Sequence, residues 1–253
     1  MNSRGCNRRD WRRVITLCLG AIITTPALAQ VENNPGYDRP GLGFTPTVLQ
    51  AGDFTLEQGM PDGSRADGVS LYTADTLLRL GVGHALEVQL GSGWNWLDES
   101  GASIDGRAST ALGLKFASST EGKLSWGLLG NVEFTDGARE FRDDQHQYLL
   151  GVSFSWQHSE GHASGLYTEA VKGDSDSQLL AVNDGWDLTS ALGVYAELAV
   201  QHLAGEGHGS MAGAGMSWQV SPRMQLDIST RHRLGGHADT WQGGIGFALY
   251  FGD

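Results

Sequence analysis

The feature of the sequence that most constrains its fold is the run at residues 86–96. All even positions in this run except Ser92 carry apolar side chains, whereas odd positions carry polar residues or glycine. A side-chain period of two is that of a β-strand with one apolar and one polar face. The run is about as long as a tilted strand must be to cross a bilayer. It ends on Trp94 and Trp96, both on the apolar face, where a membrane-spanning strand meets the headgroups.

The same alternation recurs along the chain between residues 54 and 251 and predicts twelve strands. The two strands near residues 163–171 and 178–186 are the least regular. Long and short connections alternate, and the long ones come first and last. Short periplasmic turns, longer outer loops and an even strand number are typical of all-β, up-and-down transmembrane barrels. The predicted long loops are residues 61–70, 97–105, 135–144, 172–177, 203–209 and 235–240.

Residues 1–29 have the features of a secretory signal peptide. Arginines precede an apolar run at residues 14–23, and an A-x-A pattern ends at Ala29. We therefore expect Sec-type export and cleavage before Gln30. Proline and glycine interrupt residues 30–51, which we expect to form a periplasmic N-terminal segment. The sequence leaves open whether this segment enters the barrel. Residues 52–253 are expected to form the barrel.

The composition narrows the range of functions. Cleavage would remove both cysteines, Cys6 and Cys18, and leave no thiol for a disulfide or a metal. The whole chain carries a formal charge of −12, and the leader carries five Arg and one Asp, so the remainder carries −16. So acidic a chain is a poor nucleic-acid binder. No apolar run of about 18 residues follows the leader, so no helical membrane span is predicted.

The positions of the aromatic residues distinguish a membrane barrel from a soluble barrel or sandwich, whose apolar face points inward. Aromatic side chains cluster near both ends of the predicted strands, whereas strand centres carry Leu, Val, Ala and Ile. Two aromatic girdles around an aliphatic band are what a bilayer selects. The predicted girdle consists of Tyr72, Trp94, Trp96, Phe116, Trp126, Phe134, Trp156, Trp218, Trp241 and Phe251.

The polar face of the strands is then predicted to line a lumen. A Lys or Arg on the lipid face at mid-bilayer costs roughly 2–4 kcal/mol, so the shared parity of the charged residues supports this assignment. About the turn centred on Gly83, Arg79 and Glu87 are predicted to lie opposite each other and to form an ion pair. The predicted pore-lining residues are Glu57, Asp75, Arg79, Glu87, Arg107, Lys115, Glu133, Glu197, Asp227, Arg231 and Arg233.

Several short stretches carry a resemblance to a known family. They are Asp-Arg-Pro-Gly at residues 38–41, Phe-Thr-Leu-Glu-Gln-Gly at residues 54–59, and the hairpin segments at residues 77–81 and 86–91. These stretches resemble the outer-membrane transporter family labelled as the MetA pathway of phenol degradation. The resemblance implies an outer-membrane barrel that passes small, often aromatic, compounds, and it brings no catalytic residue.

The leading hypothesis is therefore a channel or transporter for small, aromatic or hydrophobic solutes in the outer membrane of a Gram-negative bacterium. Twelve strands lie between the eight that give a filled interior and the sixteen that give a wide channel. We expect the protein not to be an enzyme and to have no catalytic residue, metal or cofactor. The expected partners are the solute, outer-membrane lipid and lipopolysaccharide, and the barrel-assembly machinery, with no nucleic acid.

Two alternatives stay open at this point. A non-transporting structural or surface-binding barrel could hold Ca²⁺ or Mg²⁺ on its acidic loop, although such a charge run is more often solvated. An outer-membrane hydrolase would combine outer histidines with Ser210 and Asp239, but no G-x-S-x-G sequence occurs. The loop acids are Asp136, Glu140, Asp143 and Asp144, and the histidines are His146, His202, His208, His232 and His237.

Overall fold

Fourteen β-strands form one antiparallel sheet in the computed structural model, which describes residues 35–60, 62–66, 69–99, 101–118 and 122–252. The predicted signal peptide lies outside these residues. Within them, no helix has the length and apolar character that a membrane span requires. The strands are β1 (Phe54–Gly59), β2 (Asp62–Ala66), β3 (Val69–Gly83), β4 (Leu86–Glu99), β5 (Ala102–Arg107), β6 (Ala111–Ala117), β7 (Leu124–Glu133), β8 (Gln147–Ser159), β9 (His162–Lys172), β10 (Ser177–Thr189), β11 (Leu192–Leu203), β12 (Gly207–Ser221), β13 (Met224–Gly236) and β14 (Trp241–Phe251).

The sheet closes into a barrel with the twelve wall positions that the alternation predicts. Strand β1 pairs with β14, from Phe54 opposite Phe251 to Gly59 opposite Gly246, and this pairing joins the two ends of the sheet. Two wall positions are each made by two short strands in succession. Strands β1 and β2 follow each other between β14 and β3, and β5 and β6 follow each other beside β4.

The two ends of the barrel differ in their connections. Two-residue turns at 84–85, 160–161, 190–191 and 222–223 define what we call the turn end. The opposite end, called the loop end, carries the connection at residues 134–146. The first residue of β1, Phe54, and the last residue of β14, Phe251, both lie at the turn end. In outer-membrane barrels the short turns face the periplasm.

Burial along the strands is inverted relative to a soluble barrel. Outward-facing Leu150 and Ile228 are 60% and 47% exposed, while inward-facing Arg79 and Lys115 are fully buried. Such an aliphatic surface is stable against hydrocarbon, because apolar groups gain free energy on leaving water. All ten predicted girdle aromatics lie on the outward face, and only Phe116, which packs against Trp126, is half-buried rather than exposed. Their contact with headgroups stays a prediction.

The strands extend further than the sequence predicts. Residues 61–70 and 97–105 were expected to be long loops, but most of them belong to β2, β3, β4 and β5. These parts lie level with Tyr72 and Trp96 or beyond them toward the loop end, and cross-strand hydrogen bonds hold their backbone. The two irregular strands are present as β9 and β10. Three other predicted loops shorten to residues 173–176, 204–206 and 237–240.

Candidate functional site in the barrel lumen

Residues 35–53 run through the inside of the barrel, and we call this segment the plug. Its side chains Tyr37, Phe44 and Leu49 are 4%, 7% and 2% exposed. Phe44 meets the ring of Tyr167 edge-on, with the centroids 5.7 Å apart. Tyr37 and Leu49 share a buried cluster with Ala248 and Tyr250 of β14. The sequence left open whether the segment before the barrel enters the lumen, and the structure locates residues 35–53 there.

One buried ion network fastens the plug near the turn end. Arg79 contacts Glu57 at 2.8 Å and Glu87 at 2.7 Å, and all three side chains are fully buried. Lys115 Nζ lies 3.0 Å from Asp38 Oδ1 of the plug. Charges removed from water are stable only when they are paired and hydrogen-bonded. The wall charges predicted to line a pore therefore pair with each other and with the plug.

Backbone groups of the plug complete this network. Three carboxylates face two cations, so one negative charge needs further donors. Glu57 accepts hydrogen bonds from the backbone N–H groups of Asp38 and Arg39, at 3.0 and 2.9 Å to Oε2. Glu87 accepts one from the N–H of Leu49 at 3.0 Å. The inner wall thus binds the plug backbone as well as its side chains.

The predicted ion pair between Arg79 and Glu87 is confirmed, but its predicted register is wrong. The turn lies at residues 84–85 rather than on Gly83, and a bulge between Gly81 and Gly83 offsets the register by one residue. Arg79 therefore lies opposite Gln89 and reaches Glu87 diagonally. The long guanidinium side chain spans this diagonal because neighbours two residues apart on one face of a sheet stay within reach.

A second network holds residues 39–42 against strands β3, β11 and β13. Arg39 of the plug lies 3.4 Å from Asp75 and 3.2 Å from Asp227. Its guanidinium occupies the space above Gly246, where a Cβ would stand 2.5 Å from Arg39 Nε. Any larger residue at that position would therefore force Arg39 to move.

The carbonyl of Pro40 is the other fixed point of this second network. Tyr195 Oη and Arg231 Nη2 each donate to Pro40 O at 3.1 Å. Arg231 also donates to Glu197 at 2.6 Å, and Glu197 accepts the backbone N–H of Leu42 at 3.2 Å. Charged wall residues on β11 and β13 thus bind the same short stretch of the plug.

An open cavity of about 380 Å³ lies between the plug and the β2, β3, β13 and β14 wall. Its lining combines the guanidinium groups of Arg39 and Arg231 and the carboxylates of Asp38 and Glu57 with other polar side chains and three leucines. The polar groups are Ser64, Thr73, Asp75, Ser229 and Gln242, and the leucines are Leu42, Leu71 and Leu77. A small molecule with one apolar face and one polar edge matches such a lining.

Ten of the eleven predicted pore-lining residues lie on the inner face of the barrel, and Arg107 does not. The register sets Arg107 opposite Trp94, on the outward face. The pairing of β5 with β4 is offset by one residue from the pairing of β6 with β4. The irregular residues between β5 and β6 therefore contain one extra position. A one-residue shift moves every side chain to the other face. Whether the inner ten line a solute path stays a prediction.

Arg107 instead joins the loop at residues 134–146. Its guanidinium lies 3.1 Å from the carboxylate of Asp136 and also contacts the Asp136 carbonyl. Hydrogen bonds from the backbone N–H and hydroxyl of Thr110, helped by Arg107, hold the pKa of Asp136 at about 2. Burial together with the carboxylates of Asp174 and Asp144 raises the pKa of Asp143.

Sequence reasoning missed several inner residues. Asp38 and Arg39 carry charges of the plug, and no alternation marks them because the plug is not a strand. Tyr167 and Glu169 face inward on β9, where Tyr167 donates to Glu169. Their odd positions indicate the inward face, but the strand that carries them has one of the least regular alternation patterns in the sequence. Tyr195, which shares the inward face of β11 with Glu197, is not among the predicted lining residues.

The outer histidines considered for catalysis contact mainly rings. His202 lies against His208, His232 against Trp241, and His146 against Phe134. Among the described residues, the one group of three metal-ligating side chains whose ligand atoms converge is His158, His162 and Asp184, away from the acidic loop. The absence of catalysis stays a prediction.

A closed twelve-position barrel with an aliphatic outer belt and a charged interior defines an outer-membrane β-barrel of porin-like fold. Residues 37–251 match the family described as "Putative MetA-pathway of phenol degradation", and the chain belongs to this family. No protein with a curated description matches the sequence.

Solved structures of outer-membrane proteins share the fold. An outer membrane channel from Pseudomonas putida F1 superposes with a TM-score of 0.63 at 12% identity, covering 84% of this chain and 99% of that one. The KdgM porin gives 0.56 at 10% identity, covering 79% and 99%. The NanC porin gives 0.56 at 9% identity, covering 78% and 100%. At such low identities these likenesses establish the fold and nothing further.

Proposed function

We propose that the protein is an outer-membrane channel for small solutes and that the plug closes it in the conformation described here. The observation that carries this proposal is that the lumen of a closed barrel is filled by a segment of the same chain. Contacts from Arg39 to Asp75 and Asp227 are ion pairs at the edge of an open cavity. Water can replace the partners in such ion pairs, so the plug could be released. A covalent link or a filled aliphatic core would not allow this.

The barrel size supports a narrow pore once the plug has moved. Eight-stranded barrels have filled interiors, and barrels of sixteen strands have wide aqueous channels. With twelve wall positions, the bore would be intermediate and lined by the inner-face charges. Glu57, Arg79 and Lys115 would then face water, which solvates them without the plug. The pore would admit small solutes and exclude large ones.

The solute class that the cavity supports best is a small molecule with an aromatic or other apolar ring and a polar substituent. Leu71 and Leu77 offer apolar contact, while Arg231, Ser229 and Gln242 offer hydrogen bonds. The volume lies within the usual range for small-molecule pockets, roughly 300–1,000 Å³. The family description, which refers to phenol degradation, points the same way.

Liposome swelling tests the channel and its solute class. The mature protein would be compared with a variant lacking residues 35–50, using benzoate, arabinose, glucose and raffinose as osmolytes. We expect the deletion variant to admit the three small solutes several-fold faster than the complete protein and to exclude raffinose. Benzoate should enter faster than arabinose. An Arg107→Gln variant, whose change lies outside the lumen, should behave like the unmodified protein.

Each outcome separates the parts of the proposal. Equal entry of benzoate and arabinose would contradict the aromatic solute class but leave the channel. No swelling by either protein, with heat-modifiable electrophoretic mobility showing folded barrels, would contradict the channel.

A second candidate is a non-transporting barrel with a structural role. The filled lumen favours it, because Tyr37, Phe44 and Leu49 pack on the wall in the manner of a permanent core. This candidate predicts that deletion of the plug destabilises the barrel and produces no solute flux.

A further inference from the structure

A polar cluster lies on the outward face of the barrel at the turn end, separate from the lumen. It combines His158 near the end of β8, His162 at the start of β9, and Asp184 in β10. The register sets Ser164 of β9 opposite Asp184 on one side and opposite exposed Trp156 on the other. Residues directly opposite each other share a face, so this cluster faces away from the lumen.

The three side chains converge on one point. One ligand atom from each of His158, His162 and Asp184 lies within 4.8 Å of the others. The two imidazole rings have their centroids 4.7 Å apart. The two-residue turn at 160–161 causes this proximity, because it returns the chain at once and brings β8 and β9 side by side. His162 Nε2 already lies 3.1 Å from Asp184 Oδ1.

We propose that His158, His162 and Asp184 bind a divalent transition-metal ion, with Zn²⁺ as the best match. Zn²⁺ takes imidazole nitrogen and carboxylate oxygen at about 2.0–2.2 Å in tetrahedral geometry, and three protein ligands leave one position for water. Neighbouring ligand atoms are then separated by roughly 3.3 Å, close to the His162–Asp184 distance. Ca²⁺ and Mg²⁺ fit less well, because they prefer all-oxygen sites.

Ser164 supports this site as a positioning residue. Its hydroxyl donates to Asp184 Oδ1 at 2.7 Å, which orients the carboxylate toward His162. Ser164 Oγ also lies 2.7 Å from His158 Nε2, so His158 is held beside the other two ligands. A small rotation of the His158 ring would exchange this contact for the metal. Hydrogen-bonded neighbours of this kind commonly orient metal ligands.

The site is reachable from outside the barrel and lies where three strands meet. The side chains of His162 and Asp184 are 33% and 39% exposed on the outward face, level with Trp156 of the predicted girdle. An ion can therefore reach them from the headgroup side, where water is present. A bound ion would tie together strands β8, β9 and β10 at the turn end. The ring of Trp186 stacks on His162, with a centroid distance of 5.5 Å and an interplanar angle of 16°. Trp186 is therefore a natural reporter for this site.

Calorimetric titration of the complete mature protein in detergent with Zn²⁺ tests the proposal. We expect one ion per chain and an affinity at least tenfold lower in each of the variants His162→Gln and Asp184→Asn. The matched control is the double variant His202→Gln and His208→Gln. It removes two histidines whose rings lie 4.4 Å apart at the loop end, and it should leave binding unchanged.

Fluorescence provides an independent measurement. Cu²⁺ binding should quench the tryptophan emission of the unmodified protein, and the Trp186→Phe variant should lose much of that quenching while still binding Zn²⁺. Heat-modifiable mobility would verify that every variant is folded. The proposal is overturned by absence of Zn²⁺ binding, by unchanged affinity in folded His162→Gln and Asp184→Asn variants, or by loss of binding in the His202 and His208 control.

Discussion

Arg79 forms a 2.7 Å ion pair with Glu87 although the strand register places it opposite Gln89. The pair therefore lies diagonally across the hairpin, and this geometry leaves Glu87 Oε2 able to accept the backbone N–H of Leu49 in the plug. One wall carboxylate thus serves the hairpin and the plug together. The stability of the barrel and the closure of its lumen depend on the same buried charges.

Replacing Arg79 by Met should destabilise the folded barrel by about 3–5 kcal/mol, because buried carboxylates would lose their shared cation. Urea unfolding in lipid vesicles, followed by tryptophan fluorescence, measures this loss. The control is Arg107→Met, which removes a half-exposed ion pair on the outward face. Exposed pairs of this kind add little to stability, because solvent screens them, so the control should lose much less than Arg79→Met. Equal losses in both variants would contradict the importance of the buried network.

A cysteine introduced at Leu49 should react slowly with a water-soluble maleimide. Leu49 is 2% exposed, and the mature chain is expected to have no other cysteine. A cysteine at exposed Glu140 provides the reference, and we expect its reaction to be at least a hundredfold faster. Adding the substitution Asp38→Asn should accelerate labelling at position 49, because Lys115 and Arg79 would lose a plug carboxylate. Similar rates at positions 49 and 140 would show that the plug does not reside in the lumen.

Acidification should release the loop at residues 134–146 from Thr110, the residue that precedes β6. The pKa of Asp136 is lowered from 3.8 to about 2, so its stabilising contribution is present above pH 3.8 and is lost as the pH falls through about 2. Hydrogen exchange at the amide of Thr110, corrected for intrinsic rates, should lose protection over this interval. Asp136→Asn should show the weakened protection at every pH. Protection that persists unchanged in the variant would contradict the assigned bond.

The outward aromatics should lie at headgroup depth. Brominated lipids quench tryptophan at contact, so bromines placed high on the acyl chains should quench more strongly than bromines near the bilayer centre. The Trp94→Phe and Trp218→Phe variants, one from each end of the barrel, should each reduce the shallow quenching. Stronger quenching by the deepest bromines would contradict the two-girdle arrangement.

The sequence predicts the wall of the barrel well and its contents poorly. Strict alternation, as in residues 86–96, follows from contact with lipid on one face and protein on the other, so the strand number and the orientation of ten charged residues could be derived. The bulge beside β6 has no such signature, and it turned Arg107 outward. Strands β2 and β5 lie beyond the aliphatic band, where alternation is not required.

The path of the plug could not be predicted for a different reason. Asp38 and Arg39 bind wall residues that lie up to 188 positions away in the sequence. Their partners depend on closure of the whole barrel, which no local pattern encodes. The proline and glycine that mark residues 35–53 as irregular indicate only that the segment is not a strand.

The most direct test of a channel closed by its own plug is single-channel recording in planar bilayers. The double variant Asp38→Asn and Arg39→Gln, which removes the plug charges that contact the wall, would be compared with the unmodified protein and with Arg107→Gln. We predict that the double variant opens at least tenfold more often, with discrete conductance steps, while Arg107→Gln matches the unmodified protein. Equal opening in all three proteins, or no conductance in any of them, would contradict the account.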